Sequence, residues 1–99
     1  MASSKQFKDY IFEQLKDMKY ISFRPMMGEY ILYYNNVIFG GIYDDRFLIK
    51  KTNSNKVFSL NEAIPYPNAK PMYLIENIDD AEYIQKLIIK TYEGLTTKK

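Results

Sequence analysis

Ninety-nine residues, 46% apolar and 26% charged with a net charge of +2, describe one globular domain over residues 1–99, far from the low-hydrophobicity, high-charge composition of disordered chains. Neither cysteine nor histidine occurs, which excludes a disulfide framework, a thiolate nucleophile, a histidine general base and metal centres built on those ligands. No window approaches the ~18 apolar residues that span a bilayer, and Met1-Ala2-Ser3-Ser4 leads into a charged amphipathic segment with no signal-type apolar core, so the expected address is the cytoplasm, with no membrane partner.

Phe7, Tyr10, Ile11, Leu15 and Met18 recur at helical spacing opposite Lys8, Asp9, Glu13, Lys16 and Asp17, which predicts a helix over 4–18. Ser3 with Gln6 forms its capping box. Residues 22–27 predict an irregular strand, confined to an edge or a bulge by Pro25, which donates no ladder hydrogen bond. Three strands follow at 29–34, 37–43 and 46–51, separated by Asn35-Asn36 and Asp44-Asp45, residues that tolerate the positive φ of tight hairpin turns. A polar loop and a short helix near 55–63 come next, and Pro65-Tyr66-Pro67 stops that helix. A strand at 71–76 precedes a last helix, capped by Asp79 and striped with Ile84, Leu87, Ile88 and Thr91, which Gly94 ends. The order α-β-β-β-β-α-β-α predicts an α+β two-layer sandwich, a mainly antiparallel sheet with helices on one face.

With two-residue loops, simple alternation sets Ile31, Tyr33, Ile38, Ile42, Phe47 and Ile49 on one face, which its aliphatic character assigns to the helices. The other face then carries Tyr30, Leu32, Tyr34, Phe39, Tyr43, Arg46 and Leu48, a Tyr- and Arg-bearing apolar surface of the kind found at interface centres. An exposed patch of that size calls for a cover, and a homodimer is the simplest one.

The run from Arg24 to Tyr33, Arg-Pro-Met-Met-Gly-Glu-Tyr-Ile-Leu-Tyr, together with Gly40-Gly41-Ile42-Tyr43-Asp44-Asp45-Arg46-Phe47-Leu48-Ile49-Lys50, resembles the N-terminal domain of the TfoX/Sxy family of bacterial competence regulators. The resemblance extends over nearly the whole chain. It implies a secretion-chaperone-like α+β sandwich and a part in transcriptional regulation. Two-domain relatives act with the cyclic-AMP receptor protein at competence promoters and carry a second, helical C-terminal domain, which is not expected before Lys99.

Residues with possible chemistry have structural explanations. Asp44-Asp45 reads as a turn before it reads as a cation site, and Gly40-Gly41 as a bulge or close approach before a phosphate loop. Met26-Met27 reads as core filler. Arg24, Glu29 and Asp44, near Tyr30, mark a place for a small-molecule pocket, but Glu29 as a carboxylate beside Arg24 reads as a structural ion pair or a solvated edge before it reads as a site. Ten tyrosines suggest base stacking, but no RNP-type run is present and the charge is balanced, so direct nucleic-acid binding is not expected. The sequence thus predicts a non-catalytic module acting through protein contacts, without metal or cofactor. A small-molecule binder or minor enzyme is the alternative.

Overall fold

The computed structural model describes residues 3–97. Its elements are helix α1 (Lys5–Leu15), strands β1 (Ile21–Met26), β2 (Glu29–Tyr34), β3 (Val37–Ile42) and β4 (Phe47–Ile49), a single 3-10 turn (Lys56–Phe58), strands β5 (Glu62–Ala63) and β6 (Met72–Ile75), and helix α2 (Ala81–Thr96). All six strands form one antiparallel sheet in the order β1-β2-β3-β4-β6-β5. Both helices pack on one face of it, giving the α+β sandwich that the apolar patterning predicts. The helix expected near 55–63 shrinks to the 3-10 turn, because Ser59 turns left-handed (φ 56°) and the chain then extends into β5.

Three tight hairpins build β1 to β4. Their central pairs, Met27-Gly28, Asn35-Asn36 and Asp44-Asp45, all have positive φ, the twist that suits two-residue hairpin loops. At the last of them Tyr43 and Arg46 exchange both backbone hydrogen bonds, at 2.9 and 3.0 Å. β1 is a sheet edge. Met26 and Glu29 close its hairpin, so alternation of the ladder turns the backbone of Pro25 outward, where a missing N–H costs nothing.

The core is the helix-facing side of the sheet closed by the two helical stripes: Leu32, Phe39, Ile42, Phe47, Ile49, Tyr73 and Ile75 against Ile11, Leu15, Ile84, Leu87 and Ile88. The α2 stripe, Ile84, Leu87, Ile88 and Thr91, is the one the sequence shows. Three local details differ. Ser4, not Ser3, caps α1, and Asp80, not Asp79, caps α2; Asp79 instead accepts a hydrogen bond from the Tyr10 hydroxyl. Gly94 lies within α2, where a Cβ would sit 2.5 Å from Thr52 Oγ1; it permits close packing of the 51–55 loop.

That loop is held by a buried polar knot. Asn55 Nδ2 donates to the Lys50 carbonyl (2.9 Å) and to Thr91 Oγ1 (2.8 Å), while Asn55 Oδ1 accepts from the Thr52 N–H (2.9 Å). Thr91 in turn donates to the Leu87 carbonyl at 2.7 Å. Among the described residues no buried side-chain polar atom lacks a partner.

The face assignment from simple alternation is corrected by a β-bulge. Tyr34 and Tyr33 pair with Val37 and Ile38, but Leu32 pairs with Gly40 rather than Phe39, so the rest of β2 shifts by one residue against β3. Tyr30 then pairs with Ile42 and Ile31 with Gly41. Tyr30, Leu32 and Phe39 thereby join Ile42, Phe47 and Ile49 on the helix side, and Ile31 crosses to the other. Tyr34 also belongs to the helix side, its ring 5.0 Å from that of Tyr92 on α2.

Candidate functional site

On the sheet face away from the helices lies a strap, segment 64–71, the connection from β5 to β6, which bends at Pro65-Tyr66 and turns left-handed at Asn68 (φ 70°). Pro65 is the buried residue of that strap, and Leu48 in β4 is fully buried. Arg46 fastens the strap: its guanidinium donates from Nε to the Tyr43 carbonyl (3.2 Å) and from Nη2 to the Pro65 carbonyl (3.2 Å). Tyr43 lies over Gly41, where an added Cβ would meet the ring at 2.7 Å, and its ring is 6.0 Å from that of Tyr66. Burial raises the Tyr43 hydroxyl above the ordinary tyrosine value, with Tyr66 and Glu29 adding to the shift.

Between the strap and the tips of the first and third hairpins opens a cleft of about 850 Å³. Met26, Met27 and Glu29 line one side, Tyr43, Asp44 and Arg46 the floor, and Ile64 to Pro67 the other side. Its rim is unusually apolar for an exposed surface. Met27 is 96% exposed, Tyr66 56%, Ile64 50% and Met26 43%. The expectation that Met26-Met27 fill the core is therefore overturned: Met27 occupies the first position of a two-residue turn at φ 53°, where no side chain can reach the interior. A bulky residue in this left-handed conformation is a departure from the Asn or Asp such a turn prefers.

Below this tip a polar latch ties the N-terminal segment to the hairpins. Glu29 Oε1 accepts from the Ser3 N–H (3.0 Å) and the Ser3 hydroxyl (2.5 Å), and Glu29 Oε2 accepts from the Asp44 N–H at 3.0 Å. Asp45 Oδ1 accepts from the Ser4 N–H (2.6 Å), and the Asp45 N–H donates to Ser3 Oγ (3.0 Å). Both carboxylate oxygens of Glu29 are thus engaged in fixing backbone, and it makes no ion pair with Arg24.

Of the residues picked out for a pocket, Glu29 and Asp44 line the cleft, whereas Arg24, exposed on edge strand β1, does not. Tyr30 turns to the opposite face, where its ring meets Phe12 and Phe23 at 6.2 and 6.1 Å and Lys8 lies over it at 5.6 Å. The proposed open face separates likewise. Tyr30, Leu32, Tyr34 and Phe39 go to the helix side, with Leu32 and Phe39 fully buried, because of the bulge. Tyr43 and Arg46 stay on the other face, while Leu48 is fully buried and so is not part of an open surface. The strap residues Ile64, Pro65 and Tyr66 were not singled out by sequence. Their signal was the Pro65-Tyr66-Pro67 run, an extended segment carrying an aromatic ring. Among the described residues no three Asp or Glu side chains gather as metal ligands, and no helix is long and apolar enough to cross a membrane.

Over 102 residues, the whole of this chain and 89% of the relative, the sequence is 28% identical to the "uncharacterized 12.7 kDa protein in trpE 5'region" of Spirochaeta aurantia. No family model matches the chain, and no solved structure matches it.

Proposed function

We propose that this protein is a non-catalytic interaction module that pairs with a second copy of itself through the cleft between the Met26-Met27 tip and the strap. The observation that carries the reading is Met27, an almost fully exposed apolar side chain held in a strained conformation at the lip of an apolar cleft. A knob beside a hole is self-complementary under a two-fold axis, since each copy offers what the other receives. The charges agree with this. Asp44 and Arg46 line the same cleft and make no ion pair among the described residues, so each copy offers both a carboxylate and a cation, the latter also bonded to the strap, for pairing across a two-fold. The resemblance to TfoX/Sxy N-terminal domains supports a regulatory role for such a module in a bacterial cytoplasm, with transcription as the process it serves.

Light scattering on the purified protein tests this directly. A dimer at ~100 μM, converted to monomer by Met27→Glu with unchanged circular dichroism, is the expected result. A monomer at that concentration would remove the support for self-association. The cleft volume also falls within the ~300–1,000 Å³ of small-molecule sites, which favours an amphipathic small ligand as the second reading. A thermal-shift screen against metabolites, run on the unmutated protein because Met27 itself lines the cleft, tests that reading.

A further inference from the structure

The strap has a second side. Between its outer half and the strands lies a groove of about 610 Å³, floored by Ile38, Gly40 and Met72, walled by Tyr43 and Tyr66, and rimmed by Lys50, Lys51 and Lys70. No carboxylate lines it. Lys51 is held at its edge by Glu62, 2.9 Å away, whereas Lys50 and Lys70 make no ion pair among the described residues. On and beside the helices Lys5 and Lys8 pair with Asp9, Lys16 with Glu13 and Lys90 with Glu93, whereas Lys86 on α2, which lines a surface hollow beside Glu82, makes no ion pair among the described residues. Unpaired ammonium groups converging on a groove repel one another, and a bound anion removes that repulsion.

The walls add a second requirement. Tyr66 is 56% exposed although it stands on an ordered strap pinned by Arg46 and by the Ala69 N–H to Tyr66 carbonyl bond of 3.1 Å. It therefore presents a fixed aromatic face beside Tyr43, the arrangement on which a planar ring stacks. Cations at one end and an aromatic face at the other ask for a ligand with both properties.

We infer that this groove binds a planar heterocycle carrying a phosphate, a ligand of mononucleotide size, with the ring against Tyr66 and the phosphate between Lys50 and Lys70. The lysines act as mobile point charges on the phosphate oxygens and Tyr66 supplies sequence-tolerant stacking. The groove adjoins the cleft assigned to self-association and shares Tyr43, Pro65 and Tyr66 with it, but Lys50 and Lys70 line the groove alone.

Calorimetric titration with AMP and UMP tests the inference, with adenosine and inorganic phosphate as half-ligands. Saturable binding of the nucleotides is expected, with each half-ligand at least about tenfold weaker, because each keeps only one of the two interactions. Lys50→Glu/Lys70→Glu should lower nucleotide affinity about tenfold or more and flatten its salt dependence, whereas Lys86→Glu on α2 should not. Tyr66→Ala should weaken AMP but leave phosphate unchanged. The inference is overturned by an absence of nucleotide binding at millimolar concentration, or by equal losses in the Lys86 and Lys50/Lys70 variants. It is also overturned if an oligothymidylate binds far more tightly than UMP, which would make the groove a single-strand track.

Discussion

At the scale of single residues, the polar groups that matter most for stability are those with no visible mark in the sequence. Asn55 sits in a run of polar loop residues, Thr52-Asn53-Ser54-Asn55, yet it alone is fully buried and joins the Lys50 carbonyl, the Thr52 N–H and Thr91 on α2. Removing its amide leaves the buried Thr91 hydroxyl and two part-buried backbone groups without this partner, and each unsatisfied buried group costs about 1–3 kcal/mol. Asn55→Ala should therefore lower stability by about 3 kcal/mol in urea denaturation. Asn61→Ala, which removes an exposed bond to Glu76, should cost less than about 0.5 kcal/mol. Similar losses in both variants would show that the knot contributes nothing beyond ordinary surface hydrogen bonding.

Among the secondary-structure elements, legibility followed the range of the interaction that sets each feature. Turn positions were readable because Asn35-Asn36 and Asp44-Asp45 state their own backbone preference, and α2 was readable because its stripe recurs locally. The bulge at Phe39-Gly40 was not, since a pair of glycines marks only that something irregular or close occurs there, not which residue is extra. One unassigned residue was enough to exchange the faces of β2, and with them the candidate interaction surface. The candidate cleft suffered a second loss: its far wall is strap, and nothing local says that residues 64–71 cross back over the sheet. Gly40 shows why the bulge is specific. A Cβ there would lie 2.2 Å from the Leu48 carbonyl oxygen and 2.8 Å from the Ile49 Cα, backbone atoms that cannot move without parting β3 from β4. Gly40→Ala should destabilise the protein by about 3 kcal/mol or more, in spite of the entropy that alanine removes from the unfolded chain. A loss of less than about 1 kcal/mol would mean that the sheet relaxes its register around the bulge, and the face assignment would reopen.

At the scale of the whole molecule, the two layers divide their work. The helix side is filled and most of its surface lysines are paired, while the opposite face holds the strap, two clefts, the unpaired Lys50 and Lys70 and the exposed methionine tip. Such a division separates what keeps the protein folded from what it can offer a partner, and Met27 is the residue at which the two demands conflict. In its left-handed position Asn is favoured over a long apolar side chain, and Asn before Gly28 makes the preferred sequence for this hairpin. If folding alone set the choice, Met27→Asn would be an improvement with no cost. It should stabilise the isolated chain by roughly 0.5–1 kcal/mol, by relieving the backbone and removing exposed apolar surface. The same change removes the knob from the proposed self-complementary contact, so dimerisation measured by sedimentation should weaken about tenfold or more. Opposite signs in the two measurements are the signature of a residue kept for association. A variant that is both more stable and equally dimeric would place the pairing surface elsewhere, and one that is less stable would mean that the turn does not strain methionine.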